Sequence, residues 1–256
     1  MSSDLHELAR TAEAAADLAR RETLPRFRSV ATEWKADGSP VTEADRAAER
    51  VIRATLLEAH PDIGIVGEEY GAEGERAERH WLVDPIDGTI AYSRGIPLYT
   101  TLIALMEGDE PVLGLIDLPA LGERYVGWRG GGCRCNGEPV RVSAETELAR
   151  TVVAHGDRDA FDAVGEGAYY ERLARELPRL RGYTDGFGHA MVLRGAAGAM
   201  VDFCLHDWDA AAPRILVTEA GGACAVLPQG EGRVGLVCGG PALVEQLLAL
   251  RGEAGA

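Results

Sequence analysis

The sequence is short of basic residues and has no long apolar run. Among its 256 residues, Asp and Glu number 41 against 26 Lys and Arg, which gives a net charge of −15, and Lys35 is the only lysine. This charge excludes the basic surface that nucleic-acid binding requires and suits divalent metals or small cationic partners better. No apolar run approaches the roughly 20 residues that span a bilayer, and the N-terminus does not resemble a signal peptide. We therefore expect a cytoplasmic enzyme without nucleic-acid or membrane partners.

Cysteine is scarce and irregularly placed. The chain has 5 cysteines, an odd number, namely Cys133, Cys135, Cys204, Cys224 and Cys238. Disulfide-stabilised secreted domains are small and dense in cysteine, so we expect these cysteines to be reduced. No second Cys or His pair with zinc spacing accompanies the Cys-x-Cys pair, which favours a glycine-rich turn over a metal site.

The most informative segment is WLVDPIDGT, residues 81–89. Its apolar start predicts a buried strand that ends near Asp84, and ligands of open α/β sheets collect beyond the carboxyl ends of strands. Gly88 permits close approach of backbone to a ligand, and Thr89 is placed to open the next helix. Carboxylate oxygens suit Mg²⁺, and the first amides of a helix suit a phosphate dianion. The segment therefore predicts a metal and phosphate site.

Two further acidic motifs have ordinary structural interpretations when taken singly. The motif KADGSPVTEAD, residues 35–45, contains Thr42 and Asp45 at capping-box spacing ahead of an amphipathic helix. The motif Gly67-Glu68-Glu69 follows an apolar run at 63–66 and by itself predicts a solvated loop at a strand end.

A fourth acidic motif, DWDAAA at 207–212, predicts a helix start. Acids such as Asp209 stabilise the N-terminus of a helix without any ligand, and Pro213 is tolerated there only in or near the first turn. The recurrence of acids at several strand and helix ends favours a shared site over four independent caps.

These motifs resemble those of the inositol monophosphatase superfamily. GEE at 67–69, WLVDPIDGT at 81–89 and WDAAA at 208–212 occur in the family's order and approximate spacing. Three ordered motifs are far more specific than one short match. The resemblance implies a layered α/β/α/β/α sandwich and a lithium-sensitive phosphomonoesterase that binds two to three Mg²⁺ per active site. It also implies that Mn²⁺ substitutes, that Li⁺ or Ca²⁺ inhibits, and that the protein is a homodimer.

The same resemblance implies roles for particular residues. The implied metal ligands are four carboxylates and one backbone carbonyl, from Glu68, Asp84, Ile86, Asp87 and Asp209. The implied catalytic residues are Lys35, Asp45, Glu68 and Thr89, where Thr89 is hydrogen-bonded to Asp45 and orients the attacking water together with Glu68. The backbone amides of Gly88 and Thr89 are implied to receive the phosphate.

Substrate selection is expected in the second half of the chain. The segment RGYTDGFGH, residues 181–189, resembles that of histidinol-phosphate phosphatases in this superfamily. Asp185 and Asp202 would attract the cationic end of L-histidinol phosphate, with His189 as a further candidate contact. The alternative interpretations remain open: Asp185 satisfies turn amides beside Gly186, and His189 is a packed or capping residue. Inositol 1-phosphate, fructose 1,6-bisphosphate and 3′-phosphoadenosine nucleotides are the alternative substrates.

Periodicity predicts mixed α and β structure. Two N-terminal helices come first, followed by strands near 63–66 and 80–84, a hairpin at 100–118 and a strand near 123–128. Later strands are predicted at 151–154, 200–204, 222–227 and 234–238, with helices near 165–177, 188–199, 208–220 and 241–251. We expect an N-terminal α+β subdomain at 1–138 with most metal ligands, and a C-terminal α/β subdomain at 139–256 with the substrate-selecting residues.

Overall fold

The computed structural model describes residues 2–36, 38–73, 78–230 and 232–254, so Asp37 of the 35–45 motif lies outside the described residues. The α-helices are α1 (Ser2–Arg26), α2 (Glu43–Ala59), α3 (Thr89–Ser93), α4 (Arg158–Ala163), α5 (Gly167–Glu176), α6 (Asp185–Leu193), α7 (Asp207–Glu219) and α8 (Pro241–Ala254). The first ten strands are β1 (Glu33–Trp34), β2 (Pro40–Val41), β3 (Gly64–Gly67), β4 (Gly71–Glu73), β5 (Arg79–Asp87), β6 (Thr100–Glu107), β7 (Glu110–Leu118), β8 (Glu123–Trp128), β9 (Gly132–Cys135) and β10 (Glu138–Pro139). The others are β11 (Val153–His155), β12 (Leu180–Arg181), β13 (Ala199–Leu205), β14 (Ala223–Gly230) and β15 (Arg233–Gly239).

Two sheets organise the chain. The larger has the order β10-β9-β8-β7-β6-β5-β3-β4, and the smaller has the order β12-β11-β13-β15-β14. The larger sheet is antiparallel except that β3 runs parallel to β5. The β1–β2 hairpin forms a separate two-stranded sheet next to the start of α2.

Both faces of the larger sheet are apolar, and different helices pack against each face. Along β5, Trp81 and Val83 pack with α1 and α2, whereas Leu82 packs with α6 and α7. This alternation follows from the two-residue period of a strand. The far face of the smaller sheet packs against α4, α5 and α8. The layers are therefore α/β/α/β/α, which confirms the predicted fold class.

The central layer is packed closely enough to require a glycine. A Cβ placed on Gly114 of β7 would lie 2.9 Å from the Ala212 carbonyl oxygen and 2.7 Å from Ile215 Cγ2, both in α7. Only a residue without a side chain allows the helix that carries Asp209 to lie this near the sheet.

One predicted boundary and the predicted place of one proline were wrong. The helix predicted at 188–199 ends earlier, because α6 ends at Leu193, Gly195 adopts a φ of 72° and the strand β13 starts at Ala199. Apolar character alone does not separate a buried helix from a buried strand. Pro213 falls in the second turn of α7, beyond the first turn in which proline is tolerated without loss, so the carbonyl of Asp209 receives no helical hydrogen bond from it.

The cysteine prediction was also wrong for one pair. Cys224 and Cys238 lie opposite each other on the antiparallel strands β14 and β15, with Cα atoms 4.2 Å apart, and form a disulfide. Their separation of 14 residues gives no signal in the sequence because strand register decides which residues are opposed. Cys133, Cys135 and Cys204 are free thiols.

In the described part of the chain, no helix is both long and apolar enough to cross a membrane.

Candidate active site

The parallel pairing of β3 with β5 brings the first two acidic motifs together. Gly67 at the end of β3 is the register partner of Val83, and the amide of Glu68 donates to the Val83 carbonyl at 3.1 Å. Since the carboxyl ends of parallel strands meet at one edge, Glu68 emerges beside Asp84. A single strand pairing thus brings together two acids that are 16 positions apart in the sequence.

An irregularity in β5 redirects its acids. The strand continues to Asp87, past the expected end at Asp84, but its register with β6 shifts between these two residues. Two residues of β5, Pro85 and Ile86, oppose one residue of β6, which is the count of a β-bulge. Asp84 accepts a hydrogen bond from the Ile86 amide at 2.9 Å. The bulge turns the segment so that both carboxylates reach the same cavity.

A tight turn follows and starts α3. Gly88 has a φ of 84°, and a Cβ there would lie 3.1 Å from Asp185 Oδ2. Thr89 donates from Oγ1 to the Ile86 carbonyl at 3.0 Å and is 3.2 Å from Asp45 Oδ1. This places α3 and the acid of α2 in direct contact.

The two carboxylate oxygens of Asp45 make different contacts. Its Oδ2 accepts from the Thr42 amide at 2.8 Å and from the Thr42 hydroxyl at 2.5 Å, while its Oδ1 faces Thr89. Asp45 therefore both belongs to the capping box of α2 and contacts Thr89. Burial raises the pKa of Asp45 to about 6, although the hydrogen bonds from Thr42 oppose this shift.

Asp209, the fourth acid of the motifs to reach this edge, lies in the second half of the chain. It lies in the first turn of α7 and accepts a hydrogen bond from the His206 amide at 2.8 Å. Asp209 lines the same cavity of about 730 Å³ as Asp84 and Asp87. A residue more than 100 positions away is thereby brought to the edge of β5.

The carboxylates of this cavity raise one another's pKa values. Burial is the largest cause of the raised pKa of Asp84, and the charges of Glu68, Asp87 and Asp209 add to it. Burial likewise raises the pKa of Asp87, followed by the charges of Asp185 and Asp209. Burial and the neighbouring acids raise the pKa of Asp209 to about 8. Ionising all of them is unfavourable unless a cation compensates.

The donor set fits a hard divalent cation. It consists of carboxylate oxygens together with the nearby Ile86 carbonyl, and carboxylates and carbonyls are the ligands that Mg²⁺ prefers. Across the ranges that the structure describes, no three His, Cys, Asp or Glu side chains are already arranged as a metal cage. Mg²⁺ keeps several waters and binds partly through substrate phosphate, so a complete protein cage is not required.

Lys35 supplies the positive charge at this edge. Its Nζ lies 2.9 Å from Glu68 Oε1 and 2.7 Å from Glu69 Oε1. Burial lowers the pKa of the Lys35 ammonium group, but the two carboxylates outweigh that effect and raise the pKa overall. Burial also raises the pKa of Glu69 to about 7 despite the hydrogen bond from Lys35. The role of Glu69 in holding Lys35 was not predicted from the sequence.

One end of the cavity contains the predicted substrate-selecting residues. Burial raises the pKa of Asp185 to about 6, and its carboxylate accepts from the Thr184 hydroxyl at 2.6 Å. The amide of Gly186 donates to Asp87 and not to Asp185, which argues against the simple turn interpretation. A Cβ on Gly156 would overlap the carboxylate of Asp202, so the two pack directly together.

His189 is buried, with 2% of its surface exposed, at the same end of the cavity. Neither ring nitrogen has a hydrogen-bond partner, and Nε2 is 3.7 Å from Asp202 Oδ2. His189 is therefore neither a helix cap nor fully satisfied by its packing.

Comparison with known proteins identifies relatives in both sequence and fold. The family model described as the inositol monophosphatase family matches residues 2–251. The chain is 39% identical to a histidinol-phosphatase of Chlorobaculum parvum over 82% of both chains. It is 36% identical to an inositol-1-monophosphatase of Mesorhizobium japonicum over 84% of this chain and 83% of that protein. The structure of the Thermotoga maritima IMPase superposes with a TM-score of 0.84 at 28% identity and 98% coverage of both chains.

The fold and these relatives define the chain as a phosphatase, a hydrolase of phosphoric monoesters. The chain belongs to the inositol monophosphatase family.

Proposed function

We propose that the protein is a Mg²⁺-dependent phosphomonoesterase that converts L-histidinol phosphate to L-histidinol. One observation carries the proposal: acids from separate parts of the chain meet beside the Gly88-Thr89 turn and raise one another's pKa values. A cluster of this kind is stable in its ionised form only with bound cations, and a phosphate monoester dianion needs those cations to approach it.

The proposed metal ligands are the oxygen donors at the edge of β5 and α7, from Glu68, Asp84, Ile86, Asp87 and Asp209. Bound Mg²⁺ supplies Lewis acidity toward the phosphoryl oxygens and lowers the pKa of a coordinated water. The acids of the protein hold the cations, while the Gly88 and Thr89 amides receive the phosphate dianion. Mn²⁺ is expected to substitute, and Li⁺ or Ca²⁺ to inhibit.

We assign the orientation of the attacking water to two side chains that are themselves held by neighbouring residues. Thr89 Oγ1 contacts Asp45 at 3.2 Å, so its hydroxyl orientation is determined by that carboxylate and by the Ile86 carbonyl. Glu68 lines the same cavity and is held by Lys35. We propose that Thr89 and Glu68 together position the water for in-line attack, with Asp45 and Lys35 fixing their orientation.

The acidic end of the cavity that contains Asp185 and Asp202 supports a cationic substrate. Asp185 lies against the Gly88 turn, and its charge interacts with that of Asp202. An ammonium group bound there would lie next to the phosphate position and would relieve the repulsion between the two acids. His189, which lacks hydrogen-bond partners, is the proposed third contact.

Inositol 1-phosphate is the second candidate. Carboxylates also accept hydrogen bonds from sugar hydroxyls, and the Mesorhizobium japonicum relative carries the name inositol-1-monophosphatase. Asp185 and Asp202 therefore do not exclude a neutral polyol.

Phosphate release from L-histidinol phosphate, inositol 1-phosphate, fructose 1,6-bisphosphate and a 3′-phosphoadenosine nucleotide tests the proposal. We expect the highest kcat/KM for histidinol phosphate, dependence on Mg²⁺ and inhibition by lithium. The variant Asp185→Asn should raise KM for histidinol phosphate more than for inositol phosphate. A wild-type preference for inositol phosphate would overturn the substrate assignment, and turnover unaffected by chelation would overturn the metal assignment.

A further inference from the structure

The loop that carries Glu68 and Glu69 is held by a residue outside all four motifs. Glu49 lies on α2, and its carboxylate accepts from two consecutive loop amides, Glu69 N at 2.8 Å and Tyr70 N at 3.2 Å. The two bonds use different carboxylate oxygens, so one side chain fixes two successive peptide planes. A charged acceptor makes such bonds roughly twice as strong as neutral ones.

A buried cation completes the anchor. Arg53, one helical turn after Glu49, donates from Nε to Glu49 Oε1 at 2.7 Å and from another nitrogen to the Gly71 carbonyl. The Glu49 side chain has 0% of its surface exposed and that of Arg53 has 8%. Glu49 and Arg53 therefore hydrogen-bond to two amides and one carbonyl of the loop, where little water can compete.

Gly67 provides the space for this carboxylate. A Cβ on Gly67 would lie 2.2 Å from Glu49 Oε1 and 2.6 Å from Glu49 Cδ, closer than real contacts allow. Since the Glu49 carboxylate is the end of a flexible side chain, a methyl group at Gly67 would displace it from the loop amides. The glycine of the Gly-Glu-Glu motif is thus required by a residue of α2.

The sheet alone does not fix this loop. The amide of Glu68 donates to β5, but the next two amides have Glu49 as their acceptor. Without Glu49, these two amides would lose their acceptor, and Lys35 would hold the Glu68 and Glu69 side chains above a less constrained backbone. Ordering these residues in advance removes an entropic cost from cation binding.

We propose that Glu49 is a positioning residue that pre-orders Glu68 and Glu69 for Mg²⁺ binding, with Arg53 and Gly67 as its supports. The proposal rests on the proposed function, because it takes Glu68 as a metal ligand. Glu49 touches neither the cavity nor the reacting atoms, and it acts through the loop.

The variant Glu49→Gln tests this with little change in volume. Its single amide oxygen can accept from only one of the two loop amides, and its NH₂ group would face the other amide as a second donor. We expect faster hydrogen exchange at the amides of residues 69 and 70 in the metal-free protein. By calorimetry, Mg²⁺ binding should weaken about 10- to 100-fold, as is typical when a supporting residue of a metal site is lost.

The kinetic signature separates positioning from substrate binding. In Glu49→Gln, the Mg²⁺ concentration for half-maximal activity should rise by a similar factor. At saturating Mg²⁺, KM for the phosphoester should change by less than about twofold, because Glu49 has no contact with the substrate end of the cavity. The conservative variant Glu49→Asp, which keeps the carboxylate, should recover part of the Mg²⁺ affinity. If Glu49→Gln does not fold, the same exchange and affinity measurements can be made on Glu49→Asp, which should show a smaller loss of Mg²⁺ affinity.

A matched control is available elsewhere in the sheet. Asp117 is fully buried and paired at 2.6 Å with both Arg20 and Arg124, but this cluster joins α1 to β7 and β8 and does not contact the loop. Asp117→Asn should therefore lower the melting temperature while leaving Mg²⁺ affinity and exchange at residues 69 and 70 unchanged.

A double-mutant cycle tests the role of Gly67. Gly67→Ala should reproduce the exchange and affinity defects of Glu49→Gln, and the double variant should be little worse than either single one, since both remove the same anchor. Full additivity would assign separate roles to the two residues and contradict the proposed support by Gly67.

Unchanged exchange and unchanged Mg²⁺ affinity in Glu49→Gln would overturn the proposal, as would an equal affinity loss in Asp117→Asn. Failure of the proposed function looks different: the wild-type protein would then show no Mg²⁺-dependent hydrolysis of any ester. In that case the exchange and calorimetric measurements would still decide whether Glu49 orders the loop and its cation affinity.

Discussion

The stability of the metal-free protein should depend on pH through the acids of the active-site cavity. The pKa of Asp209 is raised to about 8, mainly by burial, from a usual value of 3.8. Between these two values the folded protein holds a proton that the unfolded chain has lost. The free energy of unfolding therefore falls as pH rises through this window, and the stabilising contribution is fully present only at low pH.

The variant Asp209→Asn removes this contribution. Its side-chain oxygen can still accept the hydrogen bond from the His206 amide. Each proton taken up by folding changes stability by about 1.4 kcal/mol per pH unit. When the pH rises from about 5.5 to about 7.5, the free energy of unfolding should thus fall by roughly 2 to 3 kcal/mol less in the variant than in the wild-type protein, for one proton.

Urea denaturation of chelator-treated protein at several pH values measures this difference. Asp207→Asn is the matched control, because it removes an exposed acid from the same helical turn. Saturating Mg²⁺ should flatten the wild-type slope, since the cation favours the ionised carboxylates. Equal slopes in the wild-type protein and Asp209→Asn would refute the reasoning.

The remaining predictions concern the metal, the packing of the central layer and the disulfide. Asp84→Asn should abolish Mg²⁺-dependent phosphate release while the circular dichroism spectrum stays native, and near-normal turnover would remove Asp84 from the proposed ligands. Gly114→Ala should destabilise the protein by about 1 to 3 kcal/mol, because its methyl group meets α7 backbone, and an unchanged urea midpoint would contradict this. Thiol titration of the unfolded protein should count three free thiols before reduction and all 5 afterwards, and five at the outset would exclude the Cys224–Cys238 disulfide.

Most elements were predictable because their local patterns agree with their tertiary setting. The hairpin turning at 107–110 has an apolar strand on each side of a polar turn, and the observed strands β6 and β7 end and begin there. Short edge elements such as β4 and β12 were missed, since two or three residues carry no periodicity. The end of α6 was misplaced because the residues on both sides of it, from 190 to 201, are almost all small or apolar.

The motif acids were found from the sequence, but their supports were not. Glu49 occupies an ordinary position in an amphipathic helix, and only the structure shows that its carboxylate turns inward to the loop amides. The capping box of Asp45 was legible because caps depend on residues three apart in sequence. The separation into subdomains at residues 138 and 139, the homodimer and the cytoplasmic location stay predictions.

The sequence by itself determined which residues are chemically suited to the site, because residue type, local turns and strand ends are encoded over a few neighbouring positions. It also determined the family, since three motifs in the family's order are too specific to occur together by chance. Only the tertiary structure decided that Glu68 lies beside Asp84, that Asp209 joins them and that Glu49 holds the loop. These relations depend on strand pairing and helix packing between distant segments, and no local pattern records which distant surfaces will meet.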